Sequence, residues 1–136
     1  MKNKKNLNIQ FYEVLGKLFY AIAVADGMVE VSEVNKLKEI VKKDWLLVDK
    51  TEDAFQTDAA YQIEVVFDWL HSQNNLNSDS LFNEFVTYKN EHSHFFTSTI
   101  KQLIIKTAHA IAGSFSRKNK SELILLAKLD MELKKI

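Results

Sequence analysis

The sequence contains no cysteine and no proline, and its 136 residues include only three glycines, Gly16, Gly27 and Gly113. Without cysteine there is no disulfide, no thiolate metal site and no cysteine nucleophile, and the absence fits a reducing compartment. Proline breaks helix interiors and glycine weakens them, so a chain that avoids both can be helical over most of its length. Long apolar runs are missing too. The longest, Leu18 to Ala25, is eight residues, far below the roughly 20 that a membrane-spanning helix needs. Met1 to Gln10 carries Lys2, Lys4 and Lys5, but no apolar segment with a small-residue cleavage site follows. No secretory signal is expected, and the expected address is the cytoplasm.

What is present is helical periodicity. Phe11, Val14, Leu15, Leu18, Ile22 and Ala25 fall at i, i+3, i+4, i+7, and so do Val34, Leu37, Ile40, Val41 and Trp45. Ala59, Ile63, Val66, Phe67 and Leu70 form a third set, with a second stripe of Tyr61, Val65 and Trp69. A helix apolar on two sides is expected at the centre of its bundle. Leu81, Phe82, Phe85 and Val86 mark a helix that Asn77 or Ser78 would cap. Phe96, Ile100, Leu103, Ile104, Thr107, Ala108 and Ile111 mark the next, and Leu123, Leu126, Leu129, Leu133 and Ile136 the last. The spacing predicts helices near 7–26, 31–46, 58–72, 78–90, 95–112 and 117–135, with a further short turn starting at Thr51. Nothing alternates with period two for long enough to argue a strand. The expectation is an all-α, compact bundle of about six to seven helices, a single domain over residues 1–136.

The 18 basic and 18 acidic residues cancel in sum but not in place. Residues 26–68 hold eleven acids and five lysines, whereas residues 101–136 hold eight bases and three acids. Either oppositely charged parts of one bundle complement each other, or the asymmetry steers a partner.

Placing Gly27 on Gly113 brings the flanks into register. Leu18 and Phe19 fall on Ile104 and Ile105, and Ile22 and Ala25 on Ala108 and Ile111. Beyond the glycine, Val29 falls on Phe115, and Leu37 and Ile40 on Leu123 and Leu126. The chain therefore reads as two degenerate helical-hairpin halves, each with a glycine turn and an apolar plug two residues on. Asp26 and Glu33 fall on Ala112 and Asn119, so only the first copy is acidic.

Residues 26–33 look like the back half of an EF-hand loop, with Asp26 at loop position 5, Gly27 at 6 and Glu33 at 12. Positions 1 and 3 are then Ile22 and Val24, which offer no oxygen. Calcium takes six to eight oxygen ligands, so the loop would supply about half a site. A turn explains the same residues. Gly27 ends a helix, Asp26 accepts backbone N–H groups, and Glu33 reaches back to the N–H of residue 30 as in a capping box. A divalent metal held by Asp26 and Glu33, with Glu30 as a helper, stays open as the alternative.

The pattern Ala25-Asp26-Gly27-x-Val29-x-x-x-Glu33-x-x-x-Leu37, closing one apolar helix and opening another, resembles the signature of the TerB-like domain. That domain occurs in tellurite-resistance proteins and in certain membrane-anchored J-domain co-chaperones. The resemblance implies an all-α fold of about seven helices in two related halves. It also implies a bacterial cytoplasmic protein linked to tellurite or other stress, acting with protein partners in complexes near the inner membrane. The acidic positions of the family, here Asp26 and Glu33, are viewed as a metal site. The family often repeats the acidic pair, and Ala112 and Asn119 depart from that pattern.

Other constellations are thinner. Glu91-His92-Ser93-His94 offers carboxylate and imidazole donors of the kind zinc takes, but its two histidines are i, i+2 and no HExxH accompanies them. His109, between two alanines, reads as a packed, hydrogen-bonded histidine. Arg117, Lys118, Lys120, Lys128, Lys134 and Lys135 suit phosphates or a peripheral membrane contact. Zero net charge and the lack of a recognition-helix pattern speak against nucleic acid. No nucleophile motif, phosphate loop or acid–base pair stands out, so no enzyme is expected. Three readings follow: a non-enzymatic interaction module, a metal-binding stress protein, or an enzyme of unrecognised type. The sequence sets no oligomeric state.

Overall fold

Periodicity becomes structure almost element for element. In the structure, a computed structural model that describes residues 9–25, 31–45, 61–73, 77–113 and 120–134, six α-helices follow one another. They are α1 Ile9–Ala23, α2 Val31–Ile40, α3 Gln62–Gln73, α4 Ser78–Glu91, α5 Ser98–Gly113 and α6 Lys120–Lys134. A π-helical turn, Val41–Trp45, continues α2, and a 3-10 turn, Ser93–Phe95, follows α4. No strand occurs among the described residues. The turn expected at Thr51 lies outside them.

The caps show why the helices begin where they do. Asn77 precedes α4 in extended conformation, and its side-chain oxygen accepts from the Ser80 N–H at 3.0 Å. Of the two candidate caps, Asn77 is the one used. Thr97 does the same for α5, its hydroxyl accepting from the Ile100 N–H at 3.3 Å.

The centre of the bundle is not where the second stripe of 59–70 put it. In α3, Ile63, Phe67 and Leu70 are buried, but Val65 and Trp69 are 53% and 58% exposed. The central helix is α1, which packs against α3, α4, α5 and α6 and buries Phe11, Leu15, Leu18, Phe19 and Ile22 completely. Small residues make this possible. A Cβ added at Gly16 would lie 2.9 Å from the Ile63 carbonyl oxygen and 2.9 Å from Val66 Cβ, so α3 approaches α1 at backbone distance.

Aromatic rings fill the space around α1. Phe11 meets Phe96 at 5.5 Å and Phe95 at 5.9 Å, both edge to face, a geometry worth about 0.5–1.5 kcal/mol per pair beyond burial. Trp45 meets Tyr12 edge-on at 6.4 Å. The Trp45 indole N–H donates to Thr107 Oγ1 at 3.0 Å, and the Thr107 hydroxyl donates to the Leu103 carbonyl at 2.8 Å. The π turn is thereby docked on α5 through a satisfied buried polar relay.

The internal repeat holds in the first helices and only in part in the second. Leu18 and Ile104 are both fully buried, as are Ile22 and Ala108. In the second helices Ile40 and Leu126 are both buried as expected, but Leu37 is fully buried while Leu123 is exposed. Burial instead pairs Leu37, Val41 and Trp45 with Leu125, Leu129 and Leu133, a shift two residues larger. The slip turns Leu123 outward.

Candidate functional site

The acidic turn is the site the sequence singles out. At the end of α1 the chain tightens, with the Val24 N–H donating to the Tyr20 carbonyl at 2.9 Å and the Ala25 N–H to the Ile22 carbonyl at 3.3 Å. Asp26, Gly27 and Glu30 lie outside the described residues. Glu33 is placed in the first turn of α2 and is only 1% exposed. It precedes Leu37 by one turn on the inward stripe, which is why it points into the protein. Glu33 therefore faces the interior and not an exposed acidic surface. Burial of a carboxylate is costly without compensation, and the helix N-terminus supplies part of it.

Ala25 opens on a groove between α4 and α6. A cleft of about 290 Å³ is lined by Ala25, Ser78, Asp79, Ile124, Leu125 and Lys128. It shares Asp79 and Lys128 with a neighbour of about 460 Å³ that adds Phe82, Asn83, Val86, Met131 and Glu132. The lining mixes apolar side chains with the carboxylates of Asp79 and Glu132 and the ammonium of Lys128.

The histidine segment packs on aromatic rings. His92 stacks on Tyr88 at 4.3 Å with the planes 27° apart, and His94 lies 4.4 Å from the Phe95 ring. Among the described residues, no group of three or more His, Asp or Glu side chains converges as a metal site would. His109, expected to be packed, is exposed on α5. Burial on that helix follows Ile104, Ala108 and Ile111, and His109 falls on the opposite face.

Two buried polar groups escaped the sequence reading. Lys89 of α4 is completely buried, its ammonium donating to the Glu132 carbonyl at 2.8 Å and lying 3.5 Å from Glu132 Oε1. Its position on the inward stripe of Phe82, Phe85 and Tyr88 was the available signal. Tyr88 is buried with a hydroxyl that has no hydrogen-bond partner, and burial pushes its pKa up to about 12 from 10.0. The folded chain then holds a proton that the unfolded chain releases near pH 10, so stability falls as pH rises between about 10 and 12. Tyr88→Phe is expected to remove that part of the alkaline loss. Urea midpoints of the two proteins should diverge above pH 10, with the variant equal or more stable at pH 7 because no hydrogen bond is lost. Parallel midpoints across the alkaline range would refute this.

No family model, curated protein or solved structure matches this chain. Among the described residues, no helix is long and apolar enough to cross a membrane.

Proposed function

We propose that this chain is a TerB-like helical interaction module, without enzymatic activity of its own, that serves a bacterial tellurite or related stress response through a protein partner. The observation that carries the reading is the fit between the Ala25–Leu37 signature and the local fold. An apolar helix closes at Ala23, two residues before the signature's Ala25, a second opens at Val31, and Glu33 and Leu37 of the signature both turn inward. The spacing of the signature thus has a structural job at its second half. Work from the cytoplasm, in complexes at the periphery of the inner membrane, belongs to the same reading.

One observation favours a second reading, the divalent metal site. Glu33 stands in the first turn of α2, seven residues after Asp26, and carboxylate oxygens are the donors that hard divalent cations take. Titration calorimetry with calcium, magnesium and zinc separates the two. The interaction module is expected to give no metal heat in either the wild type or Asp26→Asn. Micromolar binding that disappears in Asp26→Asn would establish the metal site instead. A stability difference alone would not discriminate, because a cap and a ligand both stabilise.

A further inference from the structure

Ile124 and Met131 of α6, 51% and 64% exposed, border the groove beside Ala25. The other flank of α6 meets α5 and leaves a separate cleft of about 460 Å³. The buried Leu133 and the half-buried Ile105 are its apolar lining. Three lysines, Lys101, Lys106 and Lys134, and one carboxylate, Asp130, complete the charge around it. Lysine stems are apolar, so the polarity sits in the ammonium groups alone. An apolar concavity with a few convergent polar groups is the usual make-up of a small-molecule site.

The lysines are not equivalent. Lys106 donates to Asp44 at 3.0 Å, so its charge is matched within the chain. Lys101, Lys134 and Asp130 form no ion pair among the described residues. The cleft thus holds two unmatched ammonium groups and one unmatched carboxylate. Lys134 has a local reason for its place, the last turn of α6, where a cation suits the carbonyl end of the helix. Lys101 has none. It stands in the first turn of α5, which contains no acid, and a cation there opposes the positive end of the helix. An anion beside Lys101 relieves both.

We propose that this cleft binds a free single-chain carboxylate of the fatty-acid class, its head taken by Lys101 and Lys134 and its chain by Ile105 and Leu133. The apolar lining selects a chain over an inorganic anion, because each methylene buried there adds affinity that phosphate cannot gain. Asp130 selects a single negative charge, because it repels the second charge of a phosphate dianion. The cleft shares no residue with the acidic turn, so the inference stands independently of the proposed function.

Titration of the isotope-labelled full chain with sodium decanoate, kept below its micellar concentration, tests it by NMR. Amide shifts are expected to saturate and to centre on residues 101–106 and 130–134. Decanol has the chain without the charge, and acetate the charge without the chain. Each is expected to bind about tenfold or more weakly, as loss of a charged hydrogen bond or of the buried chain requires. Lys101→Gln with Lys134→Gln is expected to weaken decanoate to the level of decanol, and Asp130→Asn to tighten it. Circular dichroism checks that both variants keep the helical fold. Decanol binding as tightly as decanoate, shifts centred elsewhere, or a double variant that binds like the wild type overturns the proposal. Binding to phosphatidylglycerol vesicles with no response to free decanoate also overturns it, and makes the lysines a membrane contact instead.

Discussion

Lys89→Ala is expected to lower the unfolding free energy by about 3–5 kcal/mol, the cost of breaking a buried charged pair by removing one partner. Lys89 crosses from α4 to the end of α6, where its ammonium takes the carbonyl of Glu132. That carbonyl belongs to the last turn of Lys120–Lys134, where helix carbonyls lack an intrahelical donor. The side chain thus does three jobs at once: it caps a helix from outside, puts a cation at the negative end of that helix, and neutralises Glu132. Lys89→Met keeps the stem and drops the charge. It is expected to cost less than alanine, though it leaves the carbonyl without its donor. Urea unfolding measures both. High salt should change the wild-type value little, because a buried pair is poorly screened. Lys17→Ala is the control. Its pair with Glu84 is 2.9 Å long but largely exposed, so the loss should stay within about 1 kcal/mol. If Lys89→Ala behaves like that control, the capping role is wrong.

Gly16→Ala is expected to destabilise by about 1–3 kcal/mol, the usual cost of overpacking. The sign is informative because alanine in a helix interior ordinarily gains close to 1 kcal/mol over glycine. Here the new methyl group meets a backbone oxygen, that of Ile63, which cannot rotate away as a flexible side chain would. α3 must move off α1, and contacts along Ile63, Phe67 and Leu70 loosen with it. Gly16→Val should be worse. Adding Val66→Ala to Gly16→Ala removes the side-chain clash and leaves the carbonyl clash, so thermal midpoints should recover only in part. A Gly16→Ala protein as stable as the wild type would show that α3 yields freely.

The helices themselves were legible for a simple reason. Helix formation is decided by what each segment excludes and by the spacing within it. The absence of proline, the i, i+3, i+4 rows and the cap at Asn77 were sufficient, and the observed helices fall on the expected ones. The second half of the acidic signature was also legible as a helix start. The interior position of Glu33 was not. Chemistry places a glutamate outside, whereas its place one turn before Leu37 puts it inside.

"ADGMVEVSE" ends in a buried glutamate, Glu33, and Asp26 is the residue to substitute first. The sequence alone determined the secondary structure, the all-α class and the exclusion of disulfide and thiolate chemistry, because these depend on local composition and periodicity. Only the tertiary structure decided which helix lies at the centre, that Lys89 is buried and that α6 carries an exposed apolar face. Those outcomes depend on how many neighbours surround a stripe. Val65 and Trp69 form as regular a row as Leu15 and Phe19, yet α1 is enclosed by four helices and α3 presents its row to solvent. A row of apolar side chains records where a helix has a face, and packing decides whether that face is covered.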